Sequence, residues 1–194
     1  MTGSSGVPGS ERATGSPVKE QAARIWLVGM MGSGKSTVGA ALAARLGWQA
    51  LDTDTLIERE AAERIAELWR REGEAVFRAK ETEVIARVAA GADHRVVSVG
   101  GGAVLDAGNR ALISSSGFVV WLRADAATLL ARVGAGAERP ALGGDPRATL
   151  ARIDAGRRPY YRQVADLVVD VDGVSPADAA QTIISSAEGA LVRA

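Results

Sequence analysis

Apolar residues along this chain fall into two rhythms. Short, nearly continuous apolar runs occur at 24–29 (RIWLVG), 48–53 (WQALDT), 95–100 (RVVSVG), 118–123 (FVVWLR) and 166–171 (DLVVDV). Unbroken runs of this length predict strands covered on both faces, as in a parallel sheet. Between them, apolar positions recur at the three- and four-residue spacing of a helix. The first helical stretch opens at Lys35 and stops at Gly47, a residue suited to the left-handed turn that ends helices. A helical region follows over 55–90, with Gly73 as its break. Further helices are predicted over 106–115, 125–133, 148–163 and 175–192, the last with Ser175 as N-cap and Pro176 at its first position. Alternating strands and helices predict an α/β fold, a five-stranded parallel sheet with helices on both faces and the first strand central.

Two segments stand outside this alternation. Residues 1–21 are rich in Gly, Ser, Thr and Pro and bury too little apolar area to offset their ordering entropy. They are expected to form a disordered tail ahead of a single domain at 22–194. Residues 134–146 (GAGAERPALGGDP) are Gly-rich and lie between two helices. A loop of that kind is either a lid or binding loop, or an ordinary surface loop.

Composition narrows the function by exclusion. The 194 residues carry 23 Lys plus Arg against 23 Asp plus Glu, so there is no bulk attraction to nucleic acid or anionic membrane. Any anion site must be local. Cysteine is absent, which excludes disulfides and thiolate metal sites. No apolar run approaches the roughly 20 residues that span a bilayer, and no signal-like core precedes residue 24. A cytoplasmic protein with no membrane or nucleic-acid partner is the expectation, with monomer as the default state.

The strongest motif follows the first strand. GMMGSGKS fits G-x-x-x-x-G-K-S/T, with Gly29, Gly34, Lys35 and Ser36 at the defining places. The glycines let the backbone curl so that N–H groups from Gly32 and Ser33 through Thr37 face phosphate oxygens, helped by the helix N-terminus. Lys35 is expected to reach the β and γ phosphates, and the Ser36 hydroxyl to ligate Mg²⁺. Nucleotide binding follows; what receives the phosphate does not.

Two further features bear on the acceptor. The second strand ends in Asp52-Thr53-Asp54. On an extended chain residues two apart share a face, so both carboxylates are expected to point the same way beside the phosphate loop, at the strand ends where open α/β sheets bind ligands. They could hold Mg²⁺ through water and orient a hydroxyl, or Asp54 could simply cap the next helix. The third strand ends in Gly100-Gly101-Gly102. Three glycines lose much entropy on folding, so a small polar ligand lying on their backbone N–H groups explains them better than a tight turn alone.

These elements occur in order: the phosphate loop, Asp-Thr-Asp, Phe-Arg (Phe77-Arg78) after Gly-Glu, the glycine triplet, and Arg139-Pro140 in the Gly-rich loop. The combination resembles the shikimate kinases, small-molecule kinases of the P-loop class, over essentially the whole chain from Arg24. The resemblance implies a three-layer, nucleoside-monophosphate-kinase-like fold with strand order 2-3-1-4-5. It also implies ATP-dependent phosphorylation of the 3-hydroxyl of shikimate, a cyclic trihydroxy carboxylate on the route to chorismate and the aromatic amino acids. Asp54 would accept from the ring hydroxyls, Arg78 and Arg157 would clamp the carboxylate, and Gly100, Gly101 and Gly102 would donate backbone N–H groups. Helices over 55–90 would form the substrate side, with Trp69 and Phe77 as aromatic walls. Arg139 would swing onto the phosphates from the lid, while Arg132 and Pro176 would flank adenine.

Bland readings stand beside these roles. Arg78 has Glu74 and Glu81 at helical spacing, and Arg157 and Arg158 could merely favour a helix C-terminus. Arg157 is chosen over Arg158 by registering PYYR with the family's similar stretch. Phosphoryl transfer depends on positioning and charge stabilisation, here assigned to Lys35, Arg139 and Mg²⁺ held by Ser36 with Asp52 in its water shell. Asp54 orients the hydroxyl and is the candidate to take its proton. The rivals are a kinase for another small acid such as gluconate, or for a nucleoside monophosphate, and a nucleotide-binding regulator without transfer activity.

Overall fold

β1 (Arg24–Val28) runs through the middle of the molecule with every residue buried. The computed structural model describes residues 24–133 and 145–187. The tail expected over 1–21, and Arg139 with most of the segment 134–146, lie outside those residues. Around β1 stand β2 (Gln49–Asp52), β3 (Arg95–Ser98), β4 (Phe118–Arg123) and β5 (Leu167–Asp170), all parallel, in the order β2-β3-β1-β4-β5. That is the order implied by the resemblance. Burial of Ile25, Trp26 and Leu27 in β1 and of Val119, Val120 and Leu122 in β4 explains why these strands read as unbroken apolar runs.

The helices are α1 (Lys35–Leu46), α2 (Thr53–Ala61), α3 (Ile65–Glu72), α4 (Glu74–Ala90), α5 (Ala107–Ser116), α6 (Ala126–Val133), α7 (Pro146–Val164) and α8 (Pro176–Ser186). α1 packs with α8, and α5 packs with both α4 and α7. Ser175 caps α8 by accepting from the Asp178 N–H at 3.1 Å, with Pro176 in the first turn, as the sequence predicts. Gly47 ends α1 in the left-handed region at φ 69°.

Three boundaries differ from expectation. The region 55–90 is broken at Ala62 as well as at Gly73, and Ala62 takes a left-handed φ of 54°. No glycine or proline marks that break. α7 begins at Pro146 with Asp145 as its cap, so the last two residues of the expected loop belong to a helix start. A single 3-10 turn over Ala103–Leu105 follows the glycine triplet. Among the described residues, no helix is long and apolar enough to cross a membrane.

Register is what assembles a site. Leu27 and Asp52 both pair with Ser98, so β1, β2 and β3 end level with one another. Their C-terminal extensions (the loop at 29–34, the start of α2 and the glycine triplet) therefore emerge side by side.

Candidate active site

Gly34, whose φ of 91° is open to glycine, precedes α1 as its N-cap, and no side chain caps the first turn. Its leading N–H groups are thereby left for a ligand, as in an anion-binding helix terminus. Lys35 Nζ donates to the carbonyls of Gly29 at 2.9 Å and Met30 at 3.0 Å, so the ammonium lies across the loop. A cleft of about 380 Å³ opens beside it. Its lining includes Gly32, Lys35, Ser36, Thr37, Asp52, Asp54, Gly100, Gly101 and Arg132.

The two aspartates divide their work differently from the extended-strand expectation. β2 ends at Asp52, and Thr53 already begins α2, so period-2 alternation does not apply to Asp54. Asp52 is the helix cap: its Oδ1 accepts from the N–H groups of Asp54 at 3.0 Å and Thr55 at 3.4 Å. Its Oδ2 accepts from the Ser36 hydroxyl at 2.6 Å. Asp54 is released from capping and its carboxylate turns to the glycine triplet, within 2.9 Å of where a Gly100 side chain would begin.

The triplet is crowded on each side. A Cβ on Gly100 would lie 2.5 Å from Glu81 Oε1, and one on Gly102 would lie 2.7 Å from both Arg78 Nη atoms. A Cβ on Gly101 would press on Gly29 O at 3.2 Å, Met31 N at 3.3 Å and Arg157 Nη1 at 3.5 Å. One turn thus gathers Asp54, Glu81, Arg78, Arg157 and the phosphate loop. The Gly100 N–H donates to the buried Thr53 hydroxyl at 3.3 Å, which leaves Gly101 and Gly102 as the triplet's available donors.

Arg78 sits between two acids and two rings. Nη1 donates to Glu81 Oε2 at 2.8 Å, and Nε and Nη2 each approach Glu74 Oε1 at 3.3 Å. Its guanidinium carbon lies 5.5 Å from the Trp69 ring centre and 5.2 Å from that of Phe77. The helical-spacing partners and the site position therefore coexist. Trp69 and Phe77, 5.3 Å apart, support the arginine by cation–π contact. Glu81 is 1% exposed, and burial pushes its carboxyl up, opposed by Arg78 and reinforced by the nearby Asp54 charge.

Arg157, not Arg158, faces the site: Arg158 turns to Asp154 at 2.6 Å, while Arg157 reaches the Met30 sulfur at 3.9 Å. Arg132 donates to Val171 O at 2.7 Å and approaches Ser33 O at 3.5 Å, tying α6 to the phosphate loop and to the chain after β5. Pro176 opens α8 on the surface and does not line the cleft.

A family model described as shikimate kinase matches residues 31–188. The chain belongs to the shikimate kinase family. A shikimate kinase of Symbiobacterium thermophilum is 46% identical over 163 residues, covering 82% of this chain and 93% of that protein. The solved shikimate kinase of Acinetobacter baumannii in complex with shikimate aligns at TM-score 0.81 and 36% identity, covering 84% of this chain and 91% of that one. A gluconokinase from Sinorhizobium meliloti 1021 shares only the fold, at 18% identity and TM-score 0.53.

Within this shikimate kinase family member, Thr53, Glu81 and Tyr161 are site-forming residues that sequence reasoning did not assign. Tyr161 is fully buried and donates its hydroxyl hydrogen to Gly101 O at 2.6 Å. A Gly102→Ala variant tests the crowding. The obstructing atoms are the tip of a flexible side chain, so Arg78 will be displaced while the fold is retained. The acceptor KM should rise by about tenfold, with the ATP KM unchanged, in steady-state kinetics.

Proposed function

We propose that this chain transfers the γ-phosphoryl group of ATP to the 3-hydroxyl of shikimate. The observation that carries this reading is the convergence of Asp54, Arg78 and Arg157 on one glycine turn against the phosphate loop. A small acid with hydroxyls matches that set: two guanidinium groups for its carboxylate, one carboxylate for its hydroxyls, and backbone N–H groups between. Lys35 and the N-terminus of α1 would hold the phosphates. Asp54 would fix the attacking oxygen in line and receive its proton. Arg132 would lie along the base of the nucleotide, and Arg139 would bring a further positive charge to the phosphates.

The donor set also fits magnesium. Ser36 Oγ and Asp52 Oδ2, 2.6 Å apart at the cleft floor, are hard oxygen ligands of the kind Mg²⁺ shares with water and phosphate. Bound there, the ion would supply charge neutralisation on the phosphate oxygens. We propose a cytoplasmic monomer. The monomer is supported by Leu105 being the exposed large hydrophobic residue among those described.

The test is ADP release coupled to a spectrophotometric readout, with shikimate, gluconate and nucleoside monophosphates offered in turn. Turnover with shikimate at least about a hundredfold more efficient than with gluconate is the expected result. Equal or greater efficiency with gluconate or a nucleotide would overturn the choice of acceptor.

A further inference from the structure

The phenol of Tyr161 lies outside every role assigned above, yet it touches two parts of the acceptor site at once. Its ring is buried on α7, packed at a tilt against Trp121 of β4 with ring centres 5.7 Å apart. Its hydroxyl donates to Gly101 O at 2.6 Å across 60 residues of sequence. The Arg157 guanidinium, one helical turn earlier on α7, stands as a positive charge near the phenol, its Nη1 3.5 Å from where a Gly101 side chain would begin. Burial pushes the phenol far above its ordinary range, so it stays protonated and remains a donor. The hydrogen bond therefore runs in one direction, from Tyr161 Oη to Gly101 O.

That direction has a geometric result. No peptide bond among the described residues is cis, and in a trans peptide the C=O and the following N–H point to opposite sides. Holding Gly101 O toward α7 turns the Gly102 N–H the other way. The neighbouring carbonyls are fixed too: Gly100 O accepts from Ala103 N–H and Gly102 O from Leu105 N–H, each at 3.0 Å. The Gly101–Gly102 peptide plane is thus held by one side chain, the Tyr161 phenol, on the side of the turn that Arg157 approaches.

We infer that Tyr161 is a positioning residue for the acceptor, fixing the Gly102 N–H donor of the turn beside Arg157 before the acid arrives. This rests on the acceptor reading given above and adds the group that preorganises it. Tyr161 touches neither the phosphate loop's nucleotide side nor the reacting hydroxyl, so its effect should fall on acceptor binding alone.

Tyr161→Phe removes one oxygen and leaves the ring against Trp121, so the fold is retained. Wild-type turnover of shikimate is measured first; its absence would sink the acceptor reading, independently of Tyr161. With that turnover in hand, the variant should raise the shikimate KM about tenfold, with kcat and the ATP KM within about twofold of wild type. Amide hydrogen exchange should quicken over residues 100–105 and stay unchanged in β1 and α1. An unchanged shikimate KM, or equal rises for both substrates, overturns the inference. So does exchange that quickens throughout the protein, the mark of a merely structural hydroxyl.

Discussion

Replacing Lys35 by alanine should lower kcat by about 10³-fold while leaving a folded protein. The ammonium is held over the loop by the Gly29 and Met30 carbonyls, at 2.9 and 3.0 Å. Those carbonyls are fixed partners, and the phosphate oxygens of a nucleotide are stronger ones, because they bear charge. The γ-phosphoryl group is transferred with its charge spread over three oxygens, so a cation beside them counts most at the transition state. Removing it should therefore act on kcat more than on either KM. Circular dichroism and a thermal melt would verify the fold, with a fall in Tm of a few degrees from two lost charge-assisted bonds. Retention of wild-type kcat would show that the cleft beside α1 is not the phosphate site.

Arg78→Ala has a different signature. The shikimate KM should rise by about 10²-fold, matching the loss of a charge-assisted bidentate contact, while the ATP KM stays within about threefold. A second effect comes from Glu81, which is 1% exposed and has Arg78 as the cation bonded to it. Without that partner the buried carboxylate has lost its compensation, a cost of about 3–5 kcal/mol unless it takes up a proton. Burial and the Asp54 charge already push its carboxyl upward, so protonation is the available escape. Adding Glu81→Gln to Arg78→Ala should accordingly restore thermal stability without restoring the shikimate KM. Recovery of both together would mean that Arg78 acts through Glu81 rather than on the acceptor.

Much of this arrangement was legible in the chain because the relevant physics is local. The phosphate loop, its strand and its helix are contiguous, and each of the five apolar runs holds a strand. β1, β3 and β4 are buried as those runs imply, whereas the edge strand β2 is exposed to half-buried and β5 only partly buried. Asp52 and Asp54 were legible as residues but not as geometry. Their spacing suggests a shared strand face, whereas Asp52 ends the strand by capping the helix that carries Asp54. The Ala62 break left no trace, since alanine does not announce a left-handed turn. Glu81 looked like an ordinary helical partner of Arg78. Its burial, and the contacts of Thr53 and Tyr161 with the triplet, depend on residues 47 and 60 positions away meeting in space. The clue available was the triplet itself, since glycines in a row ask what is packed so tightly against them.

That packing bears on drug resistance. A compound that grips the peptide groups at 101 and 102 would bind backbone atoms that every substitution but proline leaves in place. A first carbon added at 100 or 102 would strike Glu81, Asp54 or Arg78, and at 101 it would press on the phosphate loop. Escape by substitution at 102 would displace Arg78, and the enzyme would lose affinity for its own acceptor along with the inhibitor.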